Sequence, residues 1–188
     1  MLFNLRTAAA AALAFMAVPS FATNAGDIVG SIHALTAKAK ALHDTCSSVY
    51  SGPQGGYVID DKFTEVVVEA KACFEIVKTA HGYSAVYTEE ESIKITEAWN
   101  DCLGEHEKVV VFLKESTTVF EKSAKVIVDF SKELVEIFGH ITDTLQDICP
   151  PQKPHIQELW PPVQNNFQTC ISEYGGKGGW RAKRAFVA

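Results

Sequence analysis

Long alternations of polar and apolar residues are missing from this 188-residue chain, and with them the pattern of a β-sheet. Val109 to Leu113 is the one β-like run, and its helical flanks read as a buried helical turn. The motifs of common catalytic sites are missing too. There is no GxSxG elbow, no phosphate-binding glycine loop and no HExxH. No CxxC occurs, and no Cys/His pair stands at zinc-ligand spacing, so neither a metal site nor a cofactor is expected. The Asn-x-Ser/Thr sequon is absent, which argues against conventional N-glycosylation. Past the N-terminal leader no run is long and apolar enough to span a bilayer, and no hydrophobic C-terminal tail calls for a lipid anchor. Cations are in deficit: 17 Lys and Arg stand against 23 Asp and Glu, for a formal charge of −6. An acidic surface argues against nucleic acid as a partner.

What is present begins with an export signal. Met1 to Arg6 is a short n-region with Arg6 as its charged side chain. Thr7 to Val18 is apolar and alanine-rich, and is shorter than the ~20 residues of a membrane-spanning helix. Pro19 and then Ser20-Phe21-Ala22 complete a signal-peptide pattern, with cleavage expected after Ala22 and Ala25 as the second choice. Residues 1–22 are thus expected to be removed, 23–174 to form one domain, and 175–188 to be a basic, flexible tail. Loss of Arg6 takes the formal charge to near −7. The four tail cations Lys177, Arg181, Lys183 and Arg184 leave the body near −11.

The body shows five apolar stripes in steps of three and four, the rhythm of amphipathic helices. The first runs Ile28, Ile32, Leu35, Ala39, Leu42, Cys46 and Val49, with Asp27 as expected N-cap and Ser51 to Gly56 as its terminating loop. The second runs from Ile59 through Phe63, Val66, Ala70, Cys73 and Val77 to Ala80, and Gly82 stops it. Thr88 to Glu91 is a capping box that opens the third stripe: Trp99, Leu103, His106, Val110 and Leu113. A single helix from Glu89 to Ile148 would be ~90 Å long, so a turn is expected within Glu115 to Ser123, with Thr118 and Glu121 as a second capping box. The fourth stripe is Ile127, Phe130, Leu134, Ile137, Ile141, Leu145 and Ile148, ended by Cys149-Pro150-Pro151. The fifth is Ile156, Trp160, Val163, Phe167, Cys170 and Tyr174. Pro161 and Pro162 place its start at or after Trp160, or kink it there, and Gly175-Gly176 ends it. Together these predict an all-α antiparallel bundle of about five helices.

Few side chains invite chemistry. In Glu105-His106-Glu107, adjacent helical residues point apart, and His106 on the inner stripe reads as a buried, hydrogen-bonded histidine. Cys102 with His106 is an i, i+4 pair of the kind that activates a thiolate, but in an exported bundle Cys102 is expected in a disulfide. Counting 1.5 Å per residue from the helix ends puts Cys46 and Cys170 at one height and Cys73 and Cys102 at another. The expected staples are therefore Cys46–Cys170 and Cys73–Cys102, with Cys149 free or paired to another chain. No set of nucleophile, base and orienting group shares one face, so no enzymatic activity is expected.

The layout resembles the fungal hydrophobic-surface-binding protein A family, which includes secreted cell-wall galactomannoproteins. The shared features span Asp27 to Tyr174. They are the first helix to Tyr50, the small-residue loop Ser51 to Gly56, the third helix opened by Thr88 to Glu91, the proline step Ile148-Cys149-Pro150, and the close at Glu173-Tyr174-Gly175. This chain departs from the family in its cysteines and in bulky residues such as Trp99 and Trp160. The resemblance implies a secreted or cell-wall-associated, non-enzymatic binder of hydrophobic surfaces or fatty-acid-like ligands. The competing expectation is a secreted effector or interaction protein that works through its outer face on an extracellular partner. Five apolar faces directed at one axis leave space to be filled by large side chains or by a ligand. The candidate lining is Phe63, Thr96, Trp99, Leu103, His106, Phe130, Leu134 and Trp160, with His106 and Thr96 as its polar groups.

Overall fold

The computed structural model describes residues 23–50 and 57–184, with side chains for 23–48 and 59–176. The leader and the Ser51 to Gly56 loop lie outside the described residues. Five helices follow one another: α1 Ala25–Tyr50, α2 Tyr57–Gly82, α3 Glu89–Glu115, α4 Ala124–Ile148 and α5 Lys153–Arg184. Short 3-10 turns at Glu121–Ser123 and Pro150–Gln152 lead into α4 and α5. There is no strand among the described residues. Nor is any described helix long and apolar enough to cross a membrane.

The helix ends follow local chemistry. The capping box of α3 forms: Thr88 Oγ1 accepts from the Glu91 amide at 3.4 Å, and Glu91 Oε2 accepts from the Thr88 amide at 3.0 Å. The cap of α1 differs from the sequence expectation. Asn24 is the capping residue, its Oδ1 accepting from the Asp27 amide, while the Asp27 carboxylate accepts from the Asn24 amide in return. Asp27 is the acidic third residue of that box, not its cap. The expected box at Thr118 and Glu121 is absent: α3 ends at Glu115 as anticipated, but neither the following 3-10 turn nor α4 has a side-chain cap. Beyond Gly82, the amide of Ser84 bonds to the His81 carbonyl and that of Ala85 to the Ala80 carbonyl, with Ser84 in the left-handed region at φ 55°. This is a Schellman close with serine where glycine is usual.

The fifth helix does not start at Trp160 and does not end at Gly175-Gly176. It starts at Lys153 and carries Pro161 and Pro162 inside it, and it continues past Gly175-Gly176 to Arg184. Two interior prolines remove two backbone donors and cost about 3 kcal/mol or more each in an isolated helix. Packing against both α3 and α4 offsets that cost, with Trp160, Val163, Phe167, Cys170 and Tyr174 buried along one face.

Around the bundle the order is α1, α2, α4, α5, α3 and back to α1, so the helices close a ring. Consecutive helices run in opposite directions, as the stripes predict. Three lateral seams, however, join helices two apart in sequence and are therefore parallel: α1 with α3, α2 with α4 and α3 with α5. Pairs such as Phe63 with Phe130, Phe74 with His140 and His81 with Asp147 step together along α2 and α4. The loop from α2 to α3 must pass the start of α1 to close this ring. Tyr87 fixes it there: its hydroxyl donates to the Thr23 carbonyl and its amide to the Ile148 carbonyl at the end of α4.

The disulfide expectation is corrected. Cys46, Cys73, Cys102, Cys149 and Cys170 are all buried free thiols. Equal height was the wrong criterion, because position around the ring decides. Cys73 on α2 and Cys102 on α3 are separated by α1, and Cys46 on α1 and Cys170 on α5 by α3. A bridge needs Cα atoms within about 7 Å, and lateral neighbours meet that condition more readily than helices with a third between them.

Candidate binding interior

The interior is built of aromatic rings. Phe138 on α4 is fully buried, and four rings surround it. Trp99 and His106 of α3 lie with ring centroids 5.3 and 4.7 Å away, and Trp160 and Phe167 of α5 at 5.9 and 6.2 Å. All four meet it steeply, at interplanar angles of 71° to 88°, the edge-to-face geometry that aromatic quadrupoles favour. Trp99 and His106 are seven residues apart on α3, hence two turns apart on one face. Phe138 reaches across from α4 to sit against both.

Polar atoms in this interior are few and incompletely satisfied. The His106 Nδ1 lies 2.8 Å from the Cys102 carbonyl. A carbonyl only accepts, so Nδ1 carries the proton and Nε2 is a bare acceptor. Nε2 is buried and has no partner, as are the Trp99 Nε1–H donor and the Thr142 hydroxyl. The Ser131 hydroxyl faces the Cys170 thiol. Buried polar atoms without partners are uncommon, because each forfeits its bonds to water. Two of them, His106 Nε2 and Trp99 Nε1, belong to rings that meet Phe138.

Burial also sets the charge state. Desolvation lowers the His106 pKa to about 4, against smaller opposing effects from its hydrogen bond to the Cys102 carbonyl and from Glu105. Burial pushes the Cys46 thiol up to about 12, and those of Cys73, Cys149 and Cys170 up to about 11. The Cys102 thiol is raised as well, so although Sγ sits 3.7 Å from His106 Nδ1, both groups stay neutral. This pair does not form an activated thiolate. The flanking carboxylates point elsewhere: Glu105 pairs with Lys108, and Glu107 accepts from Asn166. Among the described residues no group of three His, Cys, Asp or Glu side chains is arranged to hold a metal ion.

The candidate lining residues separate into groups. Trp99, His106 and Trp160 come together on Phe138. Leu103 and Leu134 are buried in the same core. Thr96 is buried but self-satisfied, its hydroxyl donating to the Ser92 carbonyl. Phe63 and Phe130 meet with ring centroids 4.5 Å apart and planes tilted by 45° on the α2–α4 seam, where with Val67, Val68 and Val126 they line an outer groove of about 320 Å³. The residue missed by sequence reasoning is the hub itself, Phe138. It continues the step of four from Phe130 and Leu134, so the stripe is one residue wider than the spacing of three and four requires.

Fold and interior together define a class: a closed ring of amphipathic helices around an aromatic, sparsely polar centre. A crystal structure of Afmp4p in complex with palmitic acid shares this fold. The two superpose with a TM-score of 0.72 over 80% of this chain and 99% of that one, at 10% sequence identity. No protein family and no curated protein sequence matches the chain.

Proposed function

We propose that this chain is an exported, non-enzymatic binding protein that holds an apolar, acyl-chain-like ligand inside its helical ring, acting in the extracellular space or cell wall. The carrying observation is the unpartnered His106 Nε2 and Trp99 Nε1 on buried rings that meet Phe138 inside the ring of helices. A helical fold shared with a palmitic acid complex supports the same reading. Each methylene buried there contributes about 0.8 kcal/mol, so a chain of a dozen carbons gains about 10 kcal/mol toward opening the core. Distant membership of the hydrophobic-surface-binding protein A family fits both the ring and the residue layout. The leader pattern of residues 1–22 supports export. The non-enzymatic part of this reading is supported by the neutral Cys102–His106 pair and the divergent flanking carboxylates.

The test is a titration with the uncharged fluorophore N-phenyl-1-naphthylamine, on the purified protein and on Leu134→Trp. Leu134 is wholly buried, so the larger ring obstructs the centre. Saturable binding that Leu134→Trp abolishes supports an internal site. Equal binding by both proteins refutes it and moves the ligand to the outer α2–α4 groove.

A further inference from the structure

We propose that the interior selects a ligand with an uncharged, hydrogen-donating head group, the hydroxyl of a long-chain alcohol or an undissociated acid, which donates to His106 Nε2. The inference rests on the internal-ligand reading and adds to it the chemistry of the head. Three observations carry it. First, Nδ1 is committed to the Cys102 carbonyl, so Nε2 has a lone pair and no proton. Its complement is an O–H donor. An ionised carboxylate brings only lone pairs and would face Nε2 acceptor to acceptor. Second, no lysine or arginine is among the buried described residues, whose polar members are Ser, Thr and His106. A carboxylate taken into this core has no counter-charge, and the desolvation penalty of an unpaired anion is severe. Third, the second orphan nearby, the Trp99 indole N–H, is a donor on the same face of α3 and against the same Phe138 ring. A hydroxyl both donates and accepts, so it suits an interior that holds one bare acceptor and one bare donor.

The experiment is displacement of N-phenyl-1-naphthylamine at pH 8, where a fatty acid is ionised, by 1-tetradecanol, myristate and tetradecane. It is run on the protein and on His106→Phe and His106→Gln. The proposal expects tetradecanol to bind at least tenfold more tightly than myristate. It expects His106→Phe to erase the advantage of tetradecanol over tetradecane while the fluorophore still binds, which shows that the variant is folded. The glutamine, whose amide oxygen accepts, should restore most of the advantage. Equal displacement by alcohol and myristate, or an alcohol advantage that survives in His106→Phe, overturns the head-group assignment and leaves the internal site standing. Failure of the fluorophore and every chain to bind the unaltered protein overturns both readings.

Discussion

The hydroxyl of Tyr174 donates a 2.7 Å hydrogen bond to the backbone carbonyl of Leu113, tying the late part of α5 to the last turn of α3. Both residues are buried, and the bond spans a parallel seam in which neither helix follows the other in sequence. Burial together with nearby Cys170, Cys46 and Glu173 raises the Tyr174 pKa, so the phenol stays protonated and keeps donating. Tyr174→Phe keeps the ring and removes the bond. The Leu113 carbonyl still receives the Ser116 amide, so the loss is that of one net hydrogen bond, about 1 kcal/mol. Urea unfolding of the two proteins at pH 7 measures it, and an unchanged midpoint would show that the latch contributes nothing.

Ser84 offers the opposite sign. It is exposed and holds φ at 55°, a conformation that costs a side-chain-bearing residue about 1 kcal/mol and glycine almost nothing. Ser84→Gly is expected to raise stability by about 0.5 kcal/mol, after subtracting the added freedom of glycine in the unfolded chain. A fall in melting temperature would mean that the serine does something other than close α2.

The buried His106 makes stability depend on pH. Its folded pKa is about 4 against an ordinary 6.5, so between those values the unfolded chain takes up a proton that the folded protein refuses. The contribution is fully present above pH 6.5 and is lost progressively as pH falls toward 4. It amounts to about 3 kcal/mol across the window. The comparison is with His106→Phe, which cannot titrate. The stability difference between the two proteins should move in favour of the variant as pH drops from 7 to 4.5, and a pH-independent difference would contradict a neutral buried imidazole.

The cysteines give a counting experiment. Buried thiols with pKa values of about 11 to 12 present almost no thiolate to solvent at pH 8. The native protein, purified without reductant, should react negligibly with a chromogenic disulfide reagent. In guanidinium chloride all five thiols should react. A single reactive thiol after unfolding would reinstate the two bridges that the ring order argues against.

The helices were legible in the sequence because each stripe is a local pattern: Ile28 to Cys46 or Ile127 to Ile148 needs no knowledge of partners to read as one buried face. The Thr88 and Glu91 box was legible for the same reason. Lateral order around the ring was not, because it depends on which faces fit across seams between helices distant in the chain. The disulfide error follows from that gap. Of the two readings that Pro161 and Pro162 allow, a helix start there is excluded, because the helix packed through Trp160 and Phe167 runs through both prolines. Of the candidate lining, Trp99, His106 and Trp160 converge because they share inner stripes. Phe63 and Phe130 lie on the outer edge of theirs, a difference of tens of degrees of helix rotation that residue spacing alone does not resolve.

The ring has a consequence for the electric field of the molecule. Helices that alternate in direction along the chain cannot pair off when their number is odd. The positive ends of α1, α3 and α5 gather at one pole with the negative ends of α2 and α4. With about half an elementary charge at each terminus, one helix is left uncompensated, and the backbone alone carries an axial dipole equivalent to a single helix. Side chains oppose it: Asp27, Glu89, Glu90 and Glu91 crowd the first turns of α1 and α3 at the positive pole, and Lys114 stands in the last turn of α3 at the other. Three consecutive glutamates at the opening of α3 therefore serve the polarity of the whole ring as well as the start of one helix.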